Sequence, residues 1–416
     1  MQTDADQATT TEPSDASDAI QTVDLTDQAH ALLTDPYPVY ARLLAHGPVH
    51  HVRMAVAGPC WMVVGHDAVR TALADPRLRN DIRHSANWEH DGNHAVGPNM
   101  LQADPPDHTR LRKLVAREFT ARRIQALRPR IQRVAGELVG AIGPSGRADL
   151  VDAFAFPLPI TVICELLGVP HMDRNVFRAW STEIVAATDP EAATQASQEM
   201  AVYLLGLIEE KRNTTPAGDG DLLHALVRTT DTDGDALTPD ELLGMAFLLL
   251  VAGYETTANL ISSASRLLLT HPGQLAALRA DWTLLEGAVE EALRCEPAAQ
   301  ATAYRYTAEP VTLAGVRIPA GETLLIYLAS ANRDPARFPD PDRFDIHRDP
   351  ADTRAHLSFG HGLHHCLGAP LARLEAAVAL RTLLERCPDL ALEAGAELPD
   401  WRPGLLRGLR TLLVRW

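Results

Sequence analysis

A cysteine set among glycines and histidines lies near the C-terminal end of the chain. Residues 359–368 read FGHGLHHCLG and run into a helical pattern, APLARLEAAVALRTLLERC. Unpaired N–H groups and the positive end of the dipole at a helix start favour a thiolate at Cys366. Phe359 is placed to shield the sulfur. Three glycines allow tight turns and the close approach of a flat ligand: Gly360, Gly362 and Gly368.

Three other interpretations of Cys366 are open on composition alone. An inert buried cysteine is the commonest case, but it explains neither the clustered glycines nor the neighbouring histidines. A nucleophilic cysteine requires a base and an oxyanion site, and the sequence identifies neither. A zinc site would crowd its four ligands into six residues without the usual separated pairs: His361, His364, His365 and Cys366.

A second group of reactive side chains lies on the longest helical pattern. VAGYETT, at residues 251–257, places Glu255 beside Thr256, an acid next to a hydroxyl that can relay protons. Leu248, Ala252 and Thr256 recur every four residues and therefore share one helix face. A Glu in an otherwise apolar helix favours the relay. In the alternative, Thr256 bonds a carbonyl one turn back and Glu255 is solvated.

The helix that carries this pair has clear end signals. Thr238 and Glu241 form a capping box, Pro239 takes the first helical position, and Pro272 marks the end. A helix over residues 238–271 would be about 50 Å long and would cross a whole domain. Its first half, LLGMAFLLLVAG, is apolar on all sides and is therefore predicted to lie in the core.

A basic helix is predicted over residues 107–124. His108 and Arg112 are one turn apart on it, and a planar guanidinium suits a carboxylate. A solvated cationic face is the ordinary interpretation of the other basic residues. Between residues 110 and 123 the helix has six cations against the single acid Glu118: Arg110, Arg112, Lys113, Arg117, Arg122 and Arg123.

Composition limits the class of protein. With 416 residues, 46% of them hydrophobic, and no linker or repeat, the body fits one large domain. A net charge of -16 argues against general nucleic-acid binding. Residues 1–36 hold eight acids and no Lys or Arg, which predicts a disordered acidic tail over residues 1–34 and a single domain over residues 35–416.

Compartment signals are few. The N-terminus has neither a basic nor an apolar signal region, and the longest apolar run, residues 244–254, is too short to span a bilayer. Five widely spaced cysteines, without a CxxC pair, suit a reducing compartment. We therefore predict a cytoplasmic protein without a membrane partner.

Three motifs together resemble the cytochrome P-450 superfamily. FGHGLHHCLG is similar to its haem-binding signature, Phe-x-x-Gly-x-x-x-Cys-x-Gly, and VAGYETT to its oxygen-activation motif. Glu291 and Arg294, spaced Glu-x-x-Arg and followed by RDPARFPDPDRF, resemble its structural ion-pair network, with Arg343 as the third member. The resemblance covers nearly all of residues 35–416. It implies a mainly α cytochrome P-450 fold, a large helical domain with small β-sheets.

The resemblance also implies a cofactor and the residues that hold it. Haem b is the expected cofactor, with Cys366 as the axial thiolate ligand of its iron. Glu255 and Thr256 are the expected catalytic residues. Four residues match the family's propionate partners: His108, Arg112, Arg305 and His364. The other expected haem contacts are Met100, Leu101, Ala252, Thr256, Phe359, Gly360 and Gly368.

Within the family, the chain is most similar to macrolide-tailoring hydroxylases of actinomycetes. This implies hydroxylation or epoxidation of a bulky apolar natural product, such as a macrolide.

In the loop at residues 80–98, Trp88 is expected to pack on the substrate skeleton, and Glu89 or Asp91 is expected to pair with an amino-sugar cation; a solvated loop is the alternative. Cys295 stands where an aromatic residue is common. The expected pocket residues are Leu248, Val251, Ala252, Ala301, Leu405 and Leu406.

The reaction implied by the resemblance needs partners. Dioxygen is the co-substrate, and without a flavin or nicotinamide fingerprint the electrons are expected from an external ferredoxin and ferredoxin reductase. The basic helix is expected to steer an acidic carrier. A steroid, terpenoid or fatty-acid hydroxylase is the alternative in the same class. A non-catalytic haem gas sensor is the alternative of another class, although sensing needs no proton-relay pair.

Overall fold

The computed structural model describes residues 21–88, 96–170, 174–186, 189–215, 220–229, 234–395, 399–402 and 406–416. Within these ranges the chain forms α-helices of up to 32 residues and strands of at most six residues. The predicted class, a mainly α fold with small β-sheets, is confirmed.

The α-helices account for most of the ordered backbone. In chain order they are α1 (Ala29–Thr34), α2 (Tyr37–Ala45), α3 (His66–Ala74), α4 (Asp107–Ala116), α5 (Ala121–Ala126), α6 (Arg128–Ile142), α7 (Pro157–Leu167), α8 (Arg174–Ala186), α9 (Pro190–Asn213), α10 (Leu222–Arg228), α11 (Pro239–Thr270), α12 (Pro272–Ala280), α13 (Leu285–Cys295), α14 (Leu328–Ala331), α15 (Pro350–Thr353) and α16 (Ala369–Arg386).

The strands are short and form small sheets. They are β1 (Thr22–Asp24), β2 (Val49–Met54), β3 (Gly58–Val63), β4 (Leu78–Arg79), β5 (Arg147–Asp149), β6 (Arg305–Thr307), β7 (Val311–Leu313), β8 (Val316–Ile318), β9 (Thr323–Ile326), β10 (Ala391–Leu392) and β11 (Leu413–Arg415). One sheet has the order β1-β2-β3-β9-β6-β4, another β10-β11-β5, and β7 pairs with β8.

α11 is the central helix of the core. The Thr238 hydroxyl accepts the Glu241 N–H at 3.3 Å, and the Glu241 carboxylate accepts the Thr238 N–H at 2.9 Å, so the predicted capping box is confirmed. Among the described residues, α11 alone is long and apolar enough to cross a membrane. However, 67% of the most apolar 18-residue stretch of α11 is buried within the protein. It packs against α7, α9, α13 and α16.

Two predicted boundaries are wrong. Residues 22–34, assigned to a disordered tail, form β1 and α1; β1 pairs in parallel with β2, and Leu25 is buried. The backbone bonds and the burial of Leu25 order a segment whose acidic composition indicates disorder. Residues 1–20 lie outside the described ranges. The basic helix is divided into α4 and α5, because the Thr120 hydroxyl accepts the Arg123 N–H and begins a new helix.

Candidate active site

The cysteine segment is a tight loop before α16. The Cys366 N–H donates to the Phe359 carbonyl at 2.9 Å and closes the loop. Gly360 and Gly362 both have a φ of 71°, which L side chains rarely adopt. A Cβ at Gly362 would also lie 3.0 Å from the Leu73 carbonyl. The path of this loop therefore requires glycine at both positions.

Cys366 differs from the other four cysteines, which are all buried, because its side chain is accessible. It is nevertheless surrounded by protein atoms, so it lines a recess rather than the outer surface. Burial raises the pKa of the Cys366 thiol, and the N–H groups of Gly368 and Ala369 oppose that rise, as do Arg112 and Arg373. These donors and cations favour a negative sulfur, which a metal ligand must be.

Four basic side chains from three distant segments meet beside this recess. His108 on α4 and His364 in the cysteine segment have ring centroids 4.2 Å apart. Burial lowers the pKa of both imidazoles, that of His364 to about 3, and Arg112 and Arg305 lower them further. The sequence-predicted propionate partners are therefore brought together.

Several nitrogens in this cluster lack protein partners. Within the described part of the chain, no hydrogen-bond partner is found for the buried Nδ1 and Nε2 of His108, Nε2 of His364 and Nε of Arg305. Buried polar atoms in native proteins are nearly always bonded. A cluster of imidazole and guanidinium groups with free buried nitrogens fits a ligand that carries carboxylates, and the two propionates of haem have this chemistry.

One stripe of α11 remains accessible in the middle of a buried helix. Ala252 is exposed, and Leu248 and Thr256, one turn before and after it, are half-buried. Tyr254 and Thr257, which point elsewhere, are only 0% and 3% exposed. The predicted shared face is therefore the face that α11 leaves uncovered.

Glu255 lies beside this stripe and is only 5% exposed. Its Oε1 lies 3.7 Å from Nη1 of Arg402. Its buried Oε2 has no hydrogen-bond partner within the described ranges. Burial raises the pKa of Glu255 to about 7, although Arg402 and Arg178 act in the opposite direction. The solvated alternative for Glu255 is wrong, and a carboxyl with this pKa exchanges protons near neutral pH.

Thr256 makes the bond that the alternative interpretation described. Its hydroxyl donates to the Ala252 carbonyl at 3.0 Å. A hydroxyl that donates one bond keeps its acceptor capacity. The local bond therefore fixes the side chain on the accessible stripe without removing its ability to accept a proton.

The Glu-x-x-Arg pair forms a buried ion pair, as its spacing predicted. Glu291 and Arg294 are both 0% exposed, with Nε to Oε2 at 2.7 Å and Nη2 to Oε1 at 2.8 Å. Cys295 is buried against the pair, with its Sγ 3.0 Å from Arg294 Nη2. The small thiol leaves room for the guanidinium to reach the carbonyls of Asn332 and Pro341.

The third member of this network is Arg348, and the prediction of Arg343 is wrong. Arg348 Nε lies 3.0 Å from Oε1 of Glu291. The Arg343 side chain is 63% exposed and pairs with Asp345, whereas its carbonyl accepts Nη2 of Arg294 at 3.0 Å. Arg343 thus contributes backbone rather than charge, because the loop turns its side chain to solvent.

The structure locates most of the expected pocket and ring contacts. Met100 is buried, with its N–H 3.4 Å from Sδ of Met245 on α11, whereas Leu101 is 42% exposed. Glu89, Asp91 and Leu405 lie outside the described residues. The remaining expected residues are half-buried: Trp88, Val251, Ala301, Phe359 and Leu406.

The zinc interpretation of the cysteine segment gains no support. Within the described ranges, no group of three or more His, Cys, Asp and Glu side chains could hold a metal ion. A site with Cys366 as its single protein ligand is instead compatible with a metal ion whose other ligands are supplied by a macrocyclic cofactor.

Sequence reasoning missed two residues of the site. Arg402 reaches Glu255 from the C-terminal segment. Asn80 accepts a hydrogen bond from Arg305 Nη1 and donates one to the Leu101 carbonyl. No local motif identifies either one.

The comparisons with known proteins agree with this site. A model of the cytochrome P450 family matches residues 170–400, and the chain belongs to that family. It is 56% identical over 386 residues to the cytochrome P450 monooxygenase PikC of Streptomyces venezuelae, covering 92% of this chain and 91% of that protein. It is 46% identical over 396 residues to the 6-deoxyerythronolide B hydroxylase of Saccharopolyspora erythraea, covering 92% and 96%.

A solved structure shows the same fold. The tirandamycin C-bound P450 monooxygenase TamI superposes with a TM-score of 0.85 at 46% identity, covering 94% of this chain and 99% of that one. The predicted family, fold and similarity to macrolide-tailoring hydroxylases are confirmed. The chain is therefore a P450 monooxygenase that uses haem iron and dioxygen, and the gas-sensor alternative is not supported.

Proposed function

We propose that this monooxygenase hydroxylates or epoxidises a macrolide or a related bulky polyketide in secondary-metabolite biosynthesis. The observation that carries the proposal is the accessible stripe of Leu248, Ala252 and Thr256 on a buried helix, beside a buried acid whose pKa is about 7. The substrate class is taken from relatives, which include the 6-deoxyerythronolide B hydroxylase and a mycinamicin IV hydroxylase/epoxidase.

We assign haem b to the recess at Cys366, whose thiolate would hold the iron. When bound, the haem supplies the activation of dioxygen, for which protein side chains have no equivalent. The unpartnered nitrogens of the basic cluster support propionate binding by His108, Arg112, Arg305 and His364. The ring is assigned to Met100, Leu101, Ala252, Thr256, Phe359, Gly360 and Gly368.

Glu255 and Thr256 are the proposed catalytic residues. Glu255 Oε2 holds a proton in a low-polarity environment. Thr256 Oγ1 accepts this proton and releases its own hydroxyl proton, which leaves the Ala252 carbonyl, on the accessible stripe. Arg402, 3.7 Å from Oε1, favours the ionised carboxylate after the transfer. The balance of burial and Arg402 gives a pKa of about 7, at which the carboxyl is reloaded from water at neutral pH.

The proposed substrate pocket is apolar and lies over the stripe. Val251 and Ala301, which are both half-buried, are proposed to border it. Trp88 and Glu89 are proposed to contact an amino sugar, by ring packing and charge pairing. The full set of pocket residues is Leu248, Val251, Ala252, Ala301, Leu405 and Leu406.

Electrons are proposed to come from an external ferredoxin and its reductase, in the cytoplasm. The basic segment over α4 and α5 is the steering surface, although fewer cations are available than the sequence indicated. Arg110 pairs with Glu241 and Asp235, and Arg123 pairs with Glu118. Arg122 remains exposed on that surface.

A binding screen followed by turnover tests the substrate class. Purified holoprotein is titrated with macrolides with and without an amino sugar, a steroid, a terpenoid and a fatty acid, and the shift of the haem absorption band is recorded. Ferredoxin, its reductase and NADPH then complete the reaction. The proposal expects the tightest binding, and a product heavier by one oxygen atom, with a macrolide. Preferred binding and turnover of another class would overturn it.

A pair of variants tests the stripe as the binding surface. Leu248→Ala removes an apolar contact from the stripe and is expected to weaken macrolide binding by about tenfold. Leu205→Ala, a 48% exposed leucine on α9, is the matched control and is expected to leave binding unchanged. Equal dissociation constants for the two variants would contradict the assignment.

A further inference from the structure

Asn80 is the first residue of the loop at residues 80–98 and contacts Arg305, a member of the basic cluster beside Cys366. β4 pairs with β6 in an antiparallel register that sets Leu78 opposite Thr307 and Arg79 opposite Tyr306. The same register places Asn80 opposite Arg305, and Nη1 of Arg305 donates to Oδ1 of Asn80. The loop thus begins at a residue bonded to a proposed propionate partner.

The other polar groups of Asn80 hold the base of that loop. Its Nδ2 donates to the Leu101 carbonyl at 2.7 Å, and its N–H donates to Oδ1 of Asp104 at 3.0 Å. The Asp81 N–H donates to Oδ2 of the same carboxylate at 3.0 Å. Asn80 is only 7% exposed, so these bonds are protected from competing water.

The far end of the loop is held against α11. A Cβ at Gly97 would collide with the Asp240 carbonyl, and a Cβ at Gly244 with the Pro98 carbonyl. The Met100 N–H contacts Met245 on the same helix. With that end fixed by close backbone packing, a displacement of Asn80 moves residues 81–88 relative to residues 96–98.

We propose that Asn80 is a positioning residue that couples haem anchoring through Arg305 to the position of residues 81–88, which follow it and include the proposed substrate contact Trp88. The inference rests on the proposed role of Arg305 as a propionate partner. A change at the Arg305 anchor then moves residues 81–88, and a displacement of residues 81–88 alters how firmly haem is held.

The amide is chemically suited to this position. Oδ1 of Asn80 accepts one N–H of Arg305 without neutralising the guanidinium, and Nε of Arg305 has no partner within the described part of the chain. Arg305 therefore keeps its charge and a free donor for a carboxylate. An aspartate at residue 80 would form an ion pair with Arg305 and compete with the propionate.

Two substitutions and a matched control test the coupling in the holoprotein. Asn80→Ala removes both side-chain bonds, and Asn80→Asp keeps the shape but adds the competing charge. Asn99→Ala is the control, because Asn99 is also an amide at 7% exposure and bonds Leu101, through the N–H of that residue at 3.0 Å. The Asn99 side chain is bonded to Gln102 and Leu101 rather than to Arg305.

Haem transfer to excess apomyoglobin, binding of the bulky azole clotrimazole and the reduction potential are the measurements. Asn80→Ala is expected to speed haem transfer by about tenfold and to weaken clotrimazole binding several-fold. Asn80→Asp is expected to speed haem transfer and to make the potential more negative, since added negative charge favours ferric iron. Asn99→Ala is expected to change clotrimazole binding alone.

The outcomes separate this inference from the proposed function. Equal haem-transfer rates for Asn80→Ala and Asn99→Ala, or wild-type rates and potential for Asn80→Asp, would overturn the coupling. If Asn80→Ala yields no folded holoprotein, the near-isosteric Asn80→Asp decides the question alone. A wild-type protein that binds no haem would instead overturn the assignment of the recess.

Discussion

Two buried glutamates on adjacent core helices have opposite surroundings. Glu291 on α13 has partners on both oxygens: Arg294 at 2.7 and 2.8 Å, Arg348 at 3.0 Å and the Asp345 N–H at 3.0 Å. Glu255 on α11 has one cation at 3.7 Å and an oxygen without a partner in the described part of the chain. The Glu291 carboxylate is fully bonded within the fold, whereas one oxygen of the Glu255 carboxyl remains without a bond in the described part of the chain.

The difference separates structural from chemical use of a buried charge. Beside Glu291, Glu290 shows the effect of full pairing: burial acts to raise its pKa, but bonds from His356 and Arg373 prevail and lower the pKa to about 2. For Glu255 burial prevails over Arg402 and the pKa is about 7. A buried carboxylate with partners on both oxygens stays ionised and serves the structure. A buried carboxyl with few partners keeps a proton that it can transfer near neutral pH.

The largest expected effect comes from removing the charge of Glu291, the acid of the buried ion pair. Glu291→Gln leaves the fully buried Arg294 without its counter-ion and is expected to lower the free energy of unfolding by about 3–5 kcal/mol. Chemical denaturation of the holoprotein measures it. Glu286→Gln, on the same helix but 84% exposed, is the control and is expected to have no effect. Matching midpoints for the two variants would refute the structural role.

Removing the proton of Glu255, the proposed catalytic acid, should affect turnover rather than folding. Glu255→Gln keeps the shape of the side chain but cannot deliver a proton, so the turnover rate is expected to fall by about 100-fold. The holoprotein should still bind haem and substrate as the wild type does. Steady-state turnover with ferredoxin, its reductase and NADPH measures it. A variant with wild-type turnover would show that protons arrive by another route.

The same substitution should change how stability depends on pH. The folded-state pKa of Glu255, about 7, lies above its ordinary value of 4.5, so the folded protein binds the proton more tightly than the unfolded chain. The contribution of Glu255 to stability is therefore lost as the pH rises from about 4.5 to about 7, by up to about 3 kcal/mol. Glu255→Gln should lack this decline. Parallel stability curves for both proteins would contradict the pKa.

The smallest expected effect concerns the partner hydroxyl. Thr256→Ala should retain haem and divert part of the electron flow to hydrogen peroxide, with coupling to product reduced several-fold. The ratio of product to NADPH consumed measures it. Thr257→Val is the control, because its side chain is on the buried side of α11. Unchanged coupling in Thr256→Ala would remove Thr256 from the relay.

Local patterns predicted the elements with strong end signals or tight spacing. The capping box at Thr238 and the apolar run after it identified α11, and a three-residue spacing identified the Glu291–Arg294 pair. The break between α4 and α5 was missed, although Thr120 is an ordinary N-cap residue. The resemblance of the cysteine segment to a known signature supplied the cofactor.

Contacts between distant segments were beyond the sequence. Arg402 meets Glu255 only because the C-terminal segment packs beside α11, and nothing local to Arg402 indicates this. Arg348 was confused with Arg343 because both lie in a loop without periodicity, where side-chain direction depends on the fold. Residues 22–34 gain their order from pairing with β2, which composition does not encode.

The central claim is that Cys366 is the thiolate ligand of a haem iron. The absorption spectrum of the ferrous carbon monoxide complex tests it most directly, with Cys366→His as the matched variant. We predict the red-shifted band of thiolate-ligated haem for the wild type, and its loss in Cys366→His. A wild-type spectrum with the band of imidazole-ligated haem would contradict the account.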